Sequence, residues 1–344
     1  MPRFVCPQPL QLESGQRLPF FELQYEVYGK LNPHRAVLLC HALSGSAEAG
    51  GEGGWWKTMI GPGKTLDTDH LCVICSNTLG GCSGSSGPSS PHPEDGKPWA
   101  RRFPVVTVGD MVNAQARLAD YLGVRRWHAV VGGCLGGAQS LTWAQRYPER
   151  CGKVVAIGIT ASTSPHSLAF FEVLRRALTL DPAFGDGNYY EQGIPTAGMG
   201  LNAAIGMLFW MTPEVMQTRY GRQLLGEDYS YTLQPEFTVH EGMAALGRGL
   251  GRKFDPNTML YLTRAMDYYD LARGHASLEE ALAPARIPVQ LVSYRSDWRY
   301  PPDEVEKLRE ALPDARHAVL DSHFGHGGWL FDTDSLALTL APFL

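Results

Sequence analysis

The chain lacks any apolar run approaching the roughly 20 residues that a helix needs to cross a bilayer, so no membrane-spanning helix is expected. It also lacks an excess of basic charge. Against 35 Asp and Glu it carries only 30 Lys and Arg, for a formal net charge of −5. That leaves no electrostatic footprint for nucleic acid or an anionic membrane surface. Cysteine is sparse: seven residues scattered through 344, an odd and dispersed set that argues for reduced thiols and against a disulfide framework. Cys72 and Cys75 form a C-x-x-C inside the apolar run 71–75, but no second pair follows to complete a zinc site. On a strand, an offset of three points their side chains to opposite faces, so both read as core. The first residues, Met1 to Cys6, carry no apolar signal core. The expectation is a cytoplasmic protein that acts on small molecules, with no metal and no resident cofactor.

What is present is the material of a large core: 44% hydrophobic residues against 19% charged, over a length that suits one large α/β unit carrying an insertion. Residues 20–28 alternate apolar and polar like a half-exposed strand. Segments 36–40, 71–75, 127–132 and 153–159 are compact apolar runs suited to buried parallel strands. Between them, 110–122 places Met111, Ala114, Leu118 and Leu122 on one helical face and ends at Gly123. A second helix, about 137–147, is stopped by Pro148. From 164 to about 285 the pattern is helical. A strand at 289–293, a helix at 303–312 and a strand at 317–320 then restore the alternation. The expected domains are a discontinuous core of residues 1–163 and 286–344, with a helical lid of residues 164–285 inserted in it.

The segment Val130-Val131-Gly132-Gly133-Cys134-Leu135-Gly136-Gly137-Ala138 runs from a buried strand through a glycine-flanked turn into a helix. It fits the nucleophile-elbow pattern G-x-nucleophile-x-G, with Cys134 in the central place. Glycines are needed there because neighbouring side chains would collide in the strained turn. A helix N-terminus also favours a thiolate. The same residues fit an ordinary strand-turn-helix with a buried structural cysteine.

A triad in the chain order of this fold needs an acid and then a histidine further on. Asp297 follows the strand at 289–293, and His326 lies among glycines just after the last strand. Both are loop positions at the carboxyl ends of strands, where the reactive groups of open α/β sheets collect. His323 is a rival base, and Asp303 and Asp321 are rival acids. Oxyanion donors are expected from the N–H of Leu135, after the nucleophile, and of Leu43 in the early loop 40–45. His41, in that same early loop, is out of chain order for a base and reads as structural. Gly61-Pro62-Gly63-Lys64-Thr65 resembles the end of a P-loop, but Thr58 stands where the pattern requires glycine. Nucleotide hydrolysis is rejected on that ground, and Lys64 reads as a surface residue.

Several ordered segments resemble the homoserine O-acetyltransferase family, whose relatives acylate serine or deacetylcephalosporin C. They are residues 40–45, Gly54-Trp55-Trp56, 60–64, 76–82 with Gly87-Pro88-Ser89, Asp110-Met111-Val112, the elbow, 261–267, Ser296-Asp297-Trp298 and Gly325-His326. Together they span about residue 15 to residue 330. The resemblance implies an α/β-hydrolase fold, a mostly parallel sheet with helices on both faces and an inserted helical lid. It further implies acyl-CoA as co-substrate, a small-molecule acceptor, a homodimer formed through the lid and a substrate-binding part for Arg264.

This chain departs from the family pattern at three places. Cys134 replaces the usual Ser, Gly327 replaces an Asp associated with the acceptor, and Ile205 stands where the lid carries an Arg. Losing charged contacts to a zwitterion costs roughly 1.5 to 3 kcal/mol each in a dry site. The expectation is therefore ping-pong transfer through a Cys134 thioester to an acceptor other than homoserine. Arg295 and Arg299 flank Asp297, and whichever points inward would favour a carboxylate on the acceptor or the acyl group. The alternatives are a homoserine or serine O-acetyltransferase of methionine or cysteine biosynthesis, a thiol-dependent esterase or thioesterase, and a binding protein without activity.

Overall fold

The computed structural model describes residues 1–251 and 254–344. The apolar runs become an eight-stranded central sheet. Its strands are β1 (Arg3–Cys6), β2 (Phe21–Tyr28), β3 (Ala36–Cys40), β4 (Cys72–Ser76), β5 (Ala129–Gly133), β6 (Val154–Ile157), β7 (Val289–Tyr294) and β8 (Ala315–Leu320). Their spatial order is β1-β2-β4-β3-β5-β6-β7-β8. Only β1 with β2 and β2 with β4 pair antiparallel; the other ladders are parallel. Strands β3 to β7 are buried along their whole length, which is why they read as continuous apolar runs. Strand β2 keeps the alternation of a strand with one face partly open.

Two hydrophobic clusters fill the two faces. Leu38, Cys72, Ile74 and Val130 belong to one, and Val37, Leu39, Val73, Cys75 and Val131 to the other. Cys72 and Cys75 are thus core residues on opposite faces. Helix α1 (Val108–Tyr121) starts earlier than its apolar stripe suggests because Thr107 and Asp110 form a reciprocal capping box. Helix α2 (Leu135–Arg146) also starts earlier than expected, at Leu135 and not near Gly137. The glycines there read as turn, yet tertiary packing holds them in the first helical turn.

Between β6 and β7 the chain forms α3 (Pro165–Thr179), α4 (Thr196–Trp210), α5 (Pro213–Tyr220), α6 (Thr238–Gly251), α7 (Pro256–Asp267) and α8 (Leu278–Leu282). Helix α3 packs on α4 and α7, and α4 packs on α6, whereas α8 packs on α2 and on α9 (Pro302–Ala311), between β7 and β8. The helices set apart from the sheet therefore end before α8, short of residue 285. After β8 come two helices absent from the sequence reading, α10 (Gly328–Phe331) and α11 (Thr333–Leu340). Among the described residues no helix is long and apolar enough to cross a membrane.

Candidate active site

Cys134 sits in the turn from β5 to α2 with φ 58° and ψ −122°, a backbone region that costs a non-glycine residue about 1 to 3 kcal/mol. The surroundings hold it there. Its N–H donates to the Ile157 carbonyl at 2.9 Å, and its carbonyl accepts from Ala138 N at 3.0 Å. A side chain at Gly136 would collide with the Cys40 carbonyl oxygen. The turn can exist only with glycine at that place.

The loops after β7 and β8 bring Asp297 and His326 together. Nδ1 of His326 donates to Oδ2 of Asp297 at 2.7 Å, with each residue 1% exposed. The other Asp297 oxygen accepts from the backbone N–H of Arg299 at 3.0 Å and of Tyr300 at 3.2 Å. The His326 ring lies between Tyr300 and Trp210, with centroids 5.1 Å and 5.3 Å away. Behind it is Gly158, at φ 56°, where a Cβ would stand 3.2 Å from His326 Cε1. Nε2 of His326 is buried and has no hydrogen-bond partner among the described residues.

Electrostatics favour charge separation at this pair. Burial alone pushes the Cys134 thiol up, but the His326 imidazolium, the Arg299 guanidinium and the Leu135 amide outweigh it, so its pKa falls. Burial pulls His326 down, and the charges of Asp297 and Cys134 overcome that and raise it. Asp297, also penalised by burial, is held below the usual carboxylate range by His326 and the two backbone amides. By contrast Cys40, with no such neighbours, is pushed up to about 12 by burial. Of the two, only Cys134, with the imidazolium, guanidinium and amide beside it, is poised as a thiolate.

The rival residues are elsewhere. His323 is exposed and pairs with Glu214 at 2.9 Å. Asp303 is in the exposed first turn of α9, and Asp321 is exposed and pairs with Arg295 at 2.9 Å. His41 is buried, with Nδ1 donating to Ala42 O at 2.7 Å and Nε2 accepting from Thr78 N at 3.0 Å. Burial lowers its pKa to about 4, so it is a neutral brace for the loop that carries Leu43. Lys64 is an exposed residue, as read from the sequence.

Cys134 opens into a cavity of 930 Å³ whose walls include Leu43, Phe170, Met207, Trp210 and Arg299. Leu135 is the first residue of α2, so its N–H is among those that helix geometry leaves without an intrahelical acceptor. Phe170 on α3 and Met207 and Trp210 on α4 were not singled out from the sequence. Their apolar spacing reads the same whether a helix faces core or cavity.

The pattern of the alpha/beta hydrolase fold family matches residues 35–332. The homoserine O-acetyltransferase of Symbiobacterium thermophilum is 44% identical over 99% of this chain and 94% of its own. The chain belongs to the homoserine O-acyltransferase family. Its relatives include the homoserine O-succinyltransferase of Alkalilimnicola ehrlichii, 42% identical over 94% of this chain and 88% of that protein. The crystal structure of homoserine O-acetyltransferase from Bacillus anthracis superposes with a TM-score of 0.92 at 26% identity, covering 99% of this chain and 96% of that one.

Within this homoserine O-acyltransferase framework, the other residues singled out from the sequence divide between the Cys134 cavity and its surroundings. Arg264 on α7 pairs with Asp267 at 2.9 Å and lines a separate depression with Arg101 and Arg175. Arg295 is exposed and points outward to Asp321. Ile205 packs against the core and is not among the residues lining the cavity. Gly327 is buried beside His326, where a Cβ would stand 2.9 Å from the Phe331 ring. Of the two arginines flanking Asp297, Arg299 is the one that turns inward.

Proposed function

We propose that this protein is a homoserine O-acyltransferase that works by ping-pong transfer through a thioester on Cys134, with an acyl-CoA as donor. The reading is carried by a buried Asp297–His326 pair beside the strained turn of Cys134, in a chain related over its whole length to homoserine acyltransferases. His326 takes the thiol proton, and the thiolate attacks the acyl carbonyl. The oxyanion accepts from the N–H groups of Leu43 and Leu135. As the carbonyl reforms, the C–S bond to CoA breaks and His326 gives its proton to the departing thiolate. L-Homoserine then enters, His326 removes its hydroxyl proton, and the new ester C–O bond forms as Cys134 leaves. Asp297 fixes the tautomer of His326 and stabilises its cation throughout.

The relatives favour homoserine over the other acceptors considered from Gly327 and Ile205. Ile205 lies off the cavity wall, so its departure from the family pattern carries little weight against that acceptor. The aromatic cover of Phe170 and Trp210, with Phe209 stacked behind Phe170, supports transfer over hydrolysis, because excluding water protects the thioester. A cytoplasmic enzyme that dimerises through the helical insertion completes the proposal. Its thiols are unpaired, and six of the seven are buried.

Intact-mass spectrometry after incubation with acetyl-CoA and succinyl-CoA tests the scheme. A mass increase of one acyl group, absent in Cys134→Ala and discharged on adding L-homoserine, is the expected result. Product formation without any covalent adduct in rapid-quench samples would refute the thioester, and discharge to water at an unchanged rate with homoserine present would make the protein a thioesterase.

A further inference from the structure

The net charge of −5 conceals a local excess of the opposite sign. At the end of the sheet away from the catalytic loops, the segments that lead into β3, β5 and β6 enclose a depression of 690 Å³. His34, Arg125, Arg126, His128 and Lys153 line it, and no Asp or Glu does. Among the described residues no Asp or Glu carboxylate lies within ion-pair distance of Arg125, Arg126 or Lys153, and Asp120, close to them in sequence, is taken by Arg150 at 2.7 Å. Burial pulls the Lys153 ammonium below its usual pKa, with no carboxylate beside it to push it back up.

Main-chain oxygens brace three of these side chains in place. Nε of Arg126 donates to the Cys151 carbonyl at 3.1 Å, Nε2 of His128 to an oxygen of Leu344 at 3.0 Å, and Nζ of Lys153 to the Phe343 carbonyl at 2.7 Å. A carbonyl oxygen fixes the direction of a cation without cancelling its charge, and any charge on Leu344 offsets one cation and leaves both arginines. Among the described residues the Nη groups of Arg126 and the whole side chain of Arg125 bond to nothing. Gly152 brings Lys153 against this group, because a Cβ there would stand 2.5 Å from the His128 carbonyl oxygen.

Like charges gathered in one depression repel one another, and an anion that enters relieves the repulsion and stabilises the fold. A single carboxylate brings one negative charge against two guanidinium groups and an ammonium. Linked phosphates bring several, with oxygens that match the guanidinium fork. Nucleic acid calls for an extended basic stripe, whereas these cations close around one hollow. We propose that this basin binds a small molecule that carries two or more linked phosphates. It is separate from the reaction centre, since the five residues of β5 alone put roughly 16 Å between the two ends. The inference therefore stands apart from the acyl-thioester reading of Cys134.

The test is isothermal titration calorimetry of the whole protein with inorganic pyrophosphate at fixed ionic strength. Wild-type protein should bind one pyrophosphate per chain. Arg125→Gln combined with Arg126→Gln should weaken that binding at least about tenfold, since each lost charged hydrogen bond is worth roughly 1.5 to 3 kcal/mol. The double variant should still acylate Cys134 at the wild-type rate, and Arg35→Gln, exposed beside the basin but outside its lining, should bind pyrophosphate as the wild type does. Tripolyphosphate and ATP then name the source: equal affinities mark a site that reads the phosphate chain alone, and tighter ATP marks a nucleotide site. The wild-type titration needs no variant to fold, and the absence of saturable binding there overturns the inference. So does binding that survives in the double variant, because the phosphates would then sit elsewhere, as at the CoA site. Hexaglutamate binding as tightly as pyrophosphate would likewise overturn it, and would make the basin a surface for acidic peptides.

Discussion

The floor and the roof of the cavity are built by different physics. The floor is fixed by backbone geometry: a turn at positive φ, a glycine with no room for a methyl group, and an Asp297–His326 hydrogen bond of 2.7 Å anchored by two amides. The roof is side-chain packing. Phe170 stacks on Phe209 at 3.6 Å, Trp298 and His166 lean on the same group, and Trp210 closes over His326. A floor of this kind tolerates almost no substitution and sets the reaction type. A roof of this kind can change residue by residue and sets which molecules enter.

Removing His326 is the severest way to separate the two. His326→Ala should lower acyl transfer by about four to six orders of magnitude, because triad members act as a unit. His323→Ala, three residues earlier but exposed and paired with Glu214, should stay within a few-fold of wild type. Steady-state kinetics on both variants, with thermal unfolding to check the fold, decides the matter. Equal effects would mean that the floor has been assigned to the wrong histidine.

A smaller effect is expected in the protonation of the floor. The Cys134 pKa is lowered by His326 and Arg299 against the upward push of burial, so the thiolate is present above that lowered pKa and lost as pH falls through it. The rate of Cys134 alkylation by iodoacetamide, followed by mass, should rise with a midpoint below the roughly 8.5 of a free thiol. In His326→Ala the main lowering partner is gone and burial dominates, so the midpoint should move up. Cys40, at about 12, will not compete in this range. A wild-type midpoint at or above that of a free thiol would show that the floor stores no thiolate.

Most of the floor could be read before the fold was known, and most of the roof could not. Parallel strands buried on both faces leave continuous apolar runs, so β3 to β7 are visible in sequence. The elbow is visible because its steric demand forces glycine into fixed places around Cys134, and chain order then points to Asp297 and His326. Gly158 carries the same kind of signal, a glycine closing an apolar strand. Phe170, Met207 and Trp210 gave no such signal, since a helix facing a cavity and one facing core use the same residues. The direction of a long side chain was equally hidden. Resemblance alone puts Arg264 and Ile205 at the site, whereas Arg264 pairs with Asp267 in a separate depression and Ile205 packs against the core.

Arg295 and Arg299 reduce this contrast to two residues of one loop, and the smallest expected effect is the one that sharpens it most. Arg295 has a side chain 69% exposed and an Asp321 partner 80% exposed. Such a pair is screened by water and is worth at most about 1 kcal/mol. Arg295→Ala should therefore shift the unfolding midpoint by no more than a few degrees, and should leave the rate of Cys134 acylation within a few-fold of the wild type. The same side chain four residues later is enclosed by four rings and lines the cavity. If Arg295→Ala slowed acylation of Cys134 as much as Arg299→Met, the field acting on the thiolate would be a diffuse positive potential of the whole loop, with no buried contact behind it. Raising the salt concentration separates these, because screening weakens a diffuse exposed potential far more than a dry contact.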